Sequence, residues 1–454
     1  MPTALPTFRP AHAGFLLALL ACQAGATDLV VTKFTDSHDG VCDADCSLRE
    51  AVHQANMTFE PDRIILQAGT YSLSLAPARD GARILQENGN LNGDLDVMFS
   101  DLTIVGASPG RTVIDGLRND RLFDVQAATQ LNLERLTLRN GLTSGFGGAL
   151  RNRGETNLHQ VVMERNAAIA EIGAGGAIAN FGRLNIASSR FIDNETYADP
   201  GSGEGGAIFN AAQGWLEVRN STFTGNISYD AVDTGRGAAI YNEGLADIAR
   251  SAFTVNKGGE YGNGSAILNA EGGLLKMTNS TLSGNRGYYG TGAFSNGQWG
   301  SRNNANTEAL LINVTIADNT GGAALLNLGK LTMRNSIVAG NYLIPDEGPN
   351  RPANCRNGEG ASLQARGLML GMDNQGCVAD LPIDDSLTFT QVLEPLATLP
   401  GAPALHPLPE NSPAIDAAIG TCPQTDQRKV ARPQDGNGDG VAVCDLGSYE
   451  KEAL

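Results

Sequence analysis

GGAIANFGRLNIASSRFIDN (residues 175–194), GGAIFNAAQGWLEVRNSTFTGN (205–226) and GAAIYNEGLADIARSAFTVN (237–256) are three copies of one pattern. Each opens on a block of small residues that ends in asparagine and closes on a second block of the form FxxN. The first block begins at Gly147, Gly175, Gly205, Gly237, Gly264, Thr291 and Gly322, at spacings of 28, 30, 32, 27, 27 and 31 residues. It ends at Asn152, Asn180, Asn210, Asn242, Asn269, Asn296 and Asn327; the second block ends at Asn166, Asn194, Asn226, Asn256, Asn285, Asn319 and Asn341. Asparagine tolerates left-handed backbone and so suits a bend between strands. Its amide can also bond to the same amide one repeat away, forming a ladder.

Three apolar columns keep the same register. The first is Leu150, Ile178, Ile208, Ile240, Ile267, Phe294 and Leu325. The second is Met163, Phe191, Phe223, Phe253, Leu282, Ile316 and Val338, and the third is Leu158, Ile186, Val218, Ile248, Met277, Leu311 and Met333. Neighbouring apolar positions often lie two residues apart, the strand period. The predicted fold is all-β: a single right-handed parallel β-helix, its coils about 4.8 Å apart, with a short N-terminal capping helix. Abundant glycine, 56 residues, and β-branched residues argue against a helical solenoid.

The expected organisation is a signal peptide over 1–26, an N-terminal cap over 27–63, the β-helix over 64–344, and irregular coils with a cap over 345–454. Arg9, the apolar run Gly14–Cys22 and Ala24-Gly25-Ala26 fit an export signal, too short to span a bilayer. This predicts an exported protein, secreted, at the cell surface or periplasmic, with no transmembrane segment. A net charge of −17 excludes nucleic acid as the expected partner. Outside the cytoplasm, Cys42, Cys46, Cys355, Cys377, Cys422 and Cys444 are expected to form disulfides. Six cysteines allow fifteen connectivities; neighbour pairing gives Cys42–Cys46, Cys355–Cys377 and Cys422–Cys444. Ser47-Leu48-Arg49-Glu50 reads as a capping box opening a short amphipathic helix, the expected N-terminal cap.

Cys46-Ser47-Leu48-Arg49-Glu50-Ala51 resembles the CSLREA motif. Ser412-Pro413-Ala414-Ile415-Asp416, Asp426-Gln427-Arg428, Arg432-Pro433 and Cys444–Glu450 resemble a choice-of-anchor Q domain. The repeated blocks are similar to those of polymorphic outer-membrane proteins, though the translocator barrel of that pattern is not seen here. These resemblances imply a surface or secreted β-helix and supply no catalytic residues.

Asp435, Asn437 and Asp439, with Gly440 at the sixth position, follow the start of a Ca²⁺ loop, but the twelfth position is Leu446 instead of a bidentate glutamate. A tight turn without metal fits equally; no cofactor is required by the sequence. Asn90–Asp96 is a second, weaker Ca²⁺ candidate. The loops after the second block carry Tyr197, Tyr229, Tyr261, Tyr288 and Tyr289 beside carboxylates, as a glycan-binding edge would. Asp199, Glu204, Asp230 and Asp233, with Arg236, are the weak candidates for a polysaccharide lyase or glycoside hydrolase. No recognisable catalytic motif accompanies them, so the sequence favours non-catalytic binding or adhesion to an extracellular polysaccharide or cell surface, with the lyase or hydrolase as the alternative. The ligand and the oligomeric state are not legible.

Overall fold

The chain folds into a parallel β-solenoid of about nine turns with very little helix. The computed structural model describes residues 27–453 except 59, 82, 100, 172, 231–233, 260, 288–291, 302 and 373. The export signal lies outside the described residues.

Every turn runs through three sheet faces. The turn that contains Ile178–Asn180 on the first face continues through Arg183–Ala187 on the second and Arg190–Ile192 on the third. Each strand pairs in register with its copy in the next turn: Asn180 with Asn210, Ile186 with Val218, Phe191 with Phe223. Periodicity in sequence therefore becomes a column in space, and the three apolar columns form one continuous core. Phe191, Phe223 and Phe253 stack nearly parallel, with ring centroids 4.6 and 4.8 Å apart, which is the strand spacing itself. A fourth, short strip follows the third face over Leu142–Thr143, Ala167–Ala170, Glu195–Ala198 and Ile227–Asp230.

Both asparagine columns are ladders. In the second, Asn194 Nδ2 donates to Asn226 Oδ1 (3.0 Å), Asn226 to Asn256 (2.9 Å) and Asn256 to Asn285 (2.9 Å), always toward the C-terminal neighbour. The last rung, Asn354, donates to the buried carboxylate of Asp385 at 2.9 and 3.1 Å. One expectation is corrected: no ladder asparagine has a positive φ. The left-handed position is the residue before each second-block asparagine: Arg165, Asp193, Gly225, Val255, Gly284, Asp318 and Gly340. The asparagine amides are kept for bonding, and the preceding residue makes the bend.

The solenoid extends beyond 64–344 at both ends. Thr27–Val30 already pairs with Asp62–Ile65, and Cys355–Asn357, Ser362–Leu370 and Leu381–Pro382 continue the faces. Helix α1 (Leu48–Asn56) covers the N-terminal end and carries the expected capping box. Arg49 is fully buried there: it pairs with Asp36 at 2.8 Å and donates to the carbonyls of Gly93 and Asp94, tying the cap to the next turn.

Asp385 ends the second ladder at the far turn, and residues 386–453 follow it. They fold back as a strap along the outside of the third face, where Asn279 donates to the Thr425 carbonyl and Ser283 bonds His406. Ile337, Ala339 and Met369 pack there against Val392, Leu408 and Leu446. Asp426, Arg432 and Glu450 of the anchor-like motifs hold this strap together, Arg432 pairing with Glu450 at 3.0 Å in the interior. Cys42–Cys46, Cys355–Cys377 and Cys422–Cys444 are all bonded.

Candidate functional site

The outer surface of the second face carries a long groove. Each strand on it sends its first, third and fifth side chains outward, because its second and fourth enter the core. The first outward column reads Arg183, Trp215, Leu245, Leu274, Glu308, Lys330 and Ser362. From Trp215 to Ser362 this column lines a hollow of about 640 Å³. Six strands at the strand spacing make it roughly 24 Å long. A second hollow of about 490 Å³, walled by Trp299 and the loop around it, shares Lys330 and Ser362 with the first.

Trp215 and Trp299 are the only tryptophans in the chain, and both are 45% exposed. Each carries a guanidinium on its ring: Arg183 lies 4.7 Å from the Trp215 centroid and Arg356 4.6 Å from that of Trp299. Leu245 and Leu274 extend the Trp215 platform, 46% and 41% exposed. The outward positions also carry Arg183, Arg219, Lys276, Lys330, Arg334 and Arg366 against Glu217, Asp247 and Glu308. From Arg183 to Arg366 this face is locally cationic on a chain of net charge −17, while the turns before it present Glu134 and Glu155.

The sequence-predicted edge is partly assembled on the fourth strip. Tyr197 and Tyr229 occupy the same register position in adjacent turns, ring centroids 4.9 Å apart, above Ile169. Glu195 beside them lies 3.6 Å from Arg118. Tyr261 is 58% exposed on a loop near Gly235, away from this register, where Lys257 continues the strip. Tyr288, Tyr289 and Asp233 lie outside the described residues. Asp199 is exposed, whereas Asp230 stacks over Ala198, is buried, and accepts from the Thr234 amide at 2.8 Å. These two carboxylates therefore serve different surroundings.

Glu204 and Arg236 do come together, 3.5 Å apart in adjacent turns. Burial pushes the Glu204 carboxyl up to about 7, Arg236 opposing the shift and Glu243 adding to it. Tyr241 lies against them, its hydroxyl 3.4 Å from Glu243, and burial raises its pKa. With its carboxamide turned so that oxygen faces donors, Gln298 accepts from Arg236 at 3.0 and 3.2 Å, which links this set to the neighbouring Trp299.

The 435–439 turn is closed by its own amides: Asp435 accepts from Gly438 at 2.8 Å, Asp439 at 3.1 Å and Gly440 at 2.9 Å. In the Asn90–Asp96 stretch, Asn90 brackets the Asp96 backbone at 2.7 and 3.0 Å, and Asp94 pairs with Arg121 at 2.8 Å. Among the described residues no group of three or more His, Cys, Asp or Glu is placed to hold a metal ion.

The groove was not singled out from the sequence. The available signal was Trp215, a large aromatic at a strand position whose parity faces solvent.

No family model matches the chain, and no curated protein matches it. The resemblance to CSLREA and choice-of-anchor proteins rests on the motifs alone. Among the solved structures similar in backbone are three alginate lyases. The PL6 family alginate lyase AlyGC aligns over 94% of this chain and 60% of its own, at 14% identity and a TM-score of 0.38. A PL6 alginate lyase in complex with a trisaccharide aligns over 84% and 91%, at 10% identity and a TM-score of 0.32. Alginate lyase AlyF-OU02 in complex with G6 aligns over 85% and 92%, at 12% identity and a TM-score of 0.34. The chain spans about 60% of the length of AlyGC. No residue role is carried over from these proteins.

Proposed function

We propose that this protein is an extracytoplasmic glycan-binding β-solenoid whose second face is the carbohydrate platform. The observation that carries the reading is the placement of both tryptophans, exposed, on two hollows that share a wall. An indole left in water forgoes a large burial energy, and its apolar face with polar groups around it suits the C–H face of a sugar ring. Three disulfides fit an oxidising compartment. Among the described residues no helix is long and apolar enough to cross a membrane.

The test is a glycan array and affinity electrophoresis with the wild type and a Trp215→Ala/Trp299→Ala double variant. Binding by the wild type, lost in the variant at an unchanged melting temperature, supports the reading. Full binding by the double variant, or none by the wild type, overturns it. Tyr197→Ala/Tyr229→Ala in the same assay reports whether the fourth strip contributes.

A second reading, a polysaccharide lyase or glycoside hydrolase, is favoured by one observation. Glu204 is a carboxyl poised near neutrality beside Arg236 and Tyr241, the charge set that proton transfer at a sugar requires. Release of unsaturated or reducing ends from a polysaccharide panel, abolished by Glu204→Gln, would establish it. Binding without release leaves the platform reading alone.

A further inference from the structure

Of the cations on the second face, some are matched and some are not. Arg219 lies 3.2 Å from Glu217 and 3.1 Å from Asp247, and Lys330 lies 2.7 Å from Glu308. Arg334 and Arg366 are directly opposite each other in adjacent strands, both exposed, and neither has a carboxylate within ion-pair distance among the described residues. Lys276 is exposed without a carboxylate within ion-pair distance among the described residues, but it stands opposite Asp247 in register instead of opposite another cation. Two like charges facing each other across one strand spacing repel and destabilise the pair. Nothing on this acidic chain has been set against them, although carboxylates are plentiful elsewhere. Lys276 and Arg334 line the same hollow that begins at Trp215.

We infer that the ligand of this groove is an anionic polysaccharide, with Arg334 and Arg366 as the pair that reads its acidic groups. The inference rests on the glycan-platform reading above and adds the chemical class. Guanidinium groups form forked, charge-assisted bonds with carboxylate and with sulfate-like oxygens. A regular polymer presents such groups at intervals along its length. A stack of turns presents cations at intervals along its axis, so the two repeats run together. The net charge of −17 opposes the approach of any polyanion, so recognition falls on the local cations of this groove, and duplex DNA is the control for a response to charge alone.

The test uses the purified chain and four polymers: polygalacturonate, dextran sulfate, neutral dextran and duplex DNA. Affinities are measured for the wild type, for Arg334→Gln/Arg366→Gln, and for Trp215→Ala. The expected result is binding of one or both anionic polysaccharides, with dextran and DNA weak. The arginine double variant should lose about tenfold or more in affinity for the anionic polymer, as expected for lost charge-assisted bonds. The two anionic arms separate a carboxylate ligand from a sulfated one. Equal binding of dextran and anionic polymers, unaffected by the arginine changes, overturns this inference and leaves the platform reading standing. DNA binding as tight as polysaccharide binding also overturns it. No binding of any polymer removes the platform reading and this inference with it. Unchanged thermal melting of the double variant shows that a lost affinity is not lost structure.

Discussion

Replacing Asn226 by alanine tests the ladder at its centre. Asn226 Nδ2 donates to the Phe191 carbonyl at 3.0 Å and to Asn256 Oδ1 at 2.9 Å. Its Oδ1 accepts from Asn194 Nδ2 at 3.0 Å and from the Asn194 backbone N–H at 3.1 Å. Truncation removes all four bonds. Asn194 Nδ2 keeps the Met163 carbonyl at 3.0 Å, and Asn256 Oδ1 keeps the backbone N–H of residue 226 at 3.0 Å. The Asn194 N–H loses its acceptor in the interior, while the Phe191 carbonyl loses its side-chain donor but keeps its place in the strand ladder. At about 1–3 kcal/mol for a buried group left unpaired, the loss is about 1–3 kcal/mol, with up to about 1 kcal/mol more for the lost amide bonds. The control is Asn357→Ala at the last rung of the first ladder, which is only part-buried and whose onward bond to the Ala361 carbonyl is 3.4 Å long; about 1 kcal/mol or less is expected there. Urea unfolding followed by far-ultraviolet circular dichroism measures both. If Asn226→Ala costs no more than Asn357→Ala, the ladder is not the source of stability assigned to it.

Three further outcomes are expected. Val255 is a β-branched residue at φ +49°, where the adjacent turns place Gly225 and Gly284, so Val255→Gly should stabilise by about 1 kcal/mol in the same titration. Arg49→Met takes the counter-ion from buried Asp36, which keeps only the Leu75 amide at 2.8 Å, and removes the donor to two carbonyls; it should cost about 3–5 kcal/mol, detected as a lowered melting temperature. Asp96 is fully buried, neither side-chain oxygen has a partner, and burial pushes its carboxyl up to about 8. A raised folded pKa means the native state holds the proton more tightly, so this contribution is full below about pH 4 and is lost as pH rises toward 8, by at most about 6 kcal/mol. Asp96→Asn should therefore flatten the fall in melting temperature between pH 5.5 and pH 8; an unaltered slope would contradict the assignment.

The solenoid was legible because its rule repeats. Ile178, Ile208 and Ile240 recur at the same place in each block, and every one is buried at the predicted column. The Ser47 capping box was equally readable, being local in sequence, whereas the sequence left fifteen cysteine pairings open and the structure has the neighbour pairing among them. The role of the ladder asparagines was half read: their stacking followed from the period, but the bend belongs to Gly225, Val255 and their equivalents, which mix glycine, aspartate, arginine and valine. The strap was not legible, because its partners on the third face, such as Thr281 and Gln427, are far apart in sequence and belong to no repeat. The groove escaped for a related reason. Core columns must stay apolar in every turn, whereas outward positions are free to differ, so Trp215 occurs once and leaves no periodic trace. The carboxylate candidates were gathered by loop number; register separated Asp199 from Asp230 and joined Glu204 to Arg236.

The second ladder has a direction: each amide hands its hydrogen to the next, and the series stops at Asp385, which has nothing to donate. Such an end need be built only once, whatever the number of rungs before it. A duplicated thirty-residue unit inserted mid-array finds an acceptor above and a donor below already in place. Proteins of this architecture can thus lengthen or shorten in descent by whole modules, with the working surface changing its reach while both termini are inherited intact.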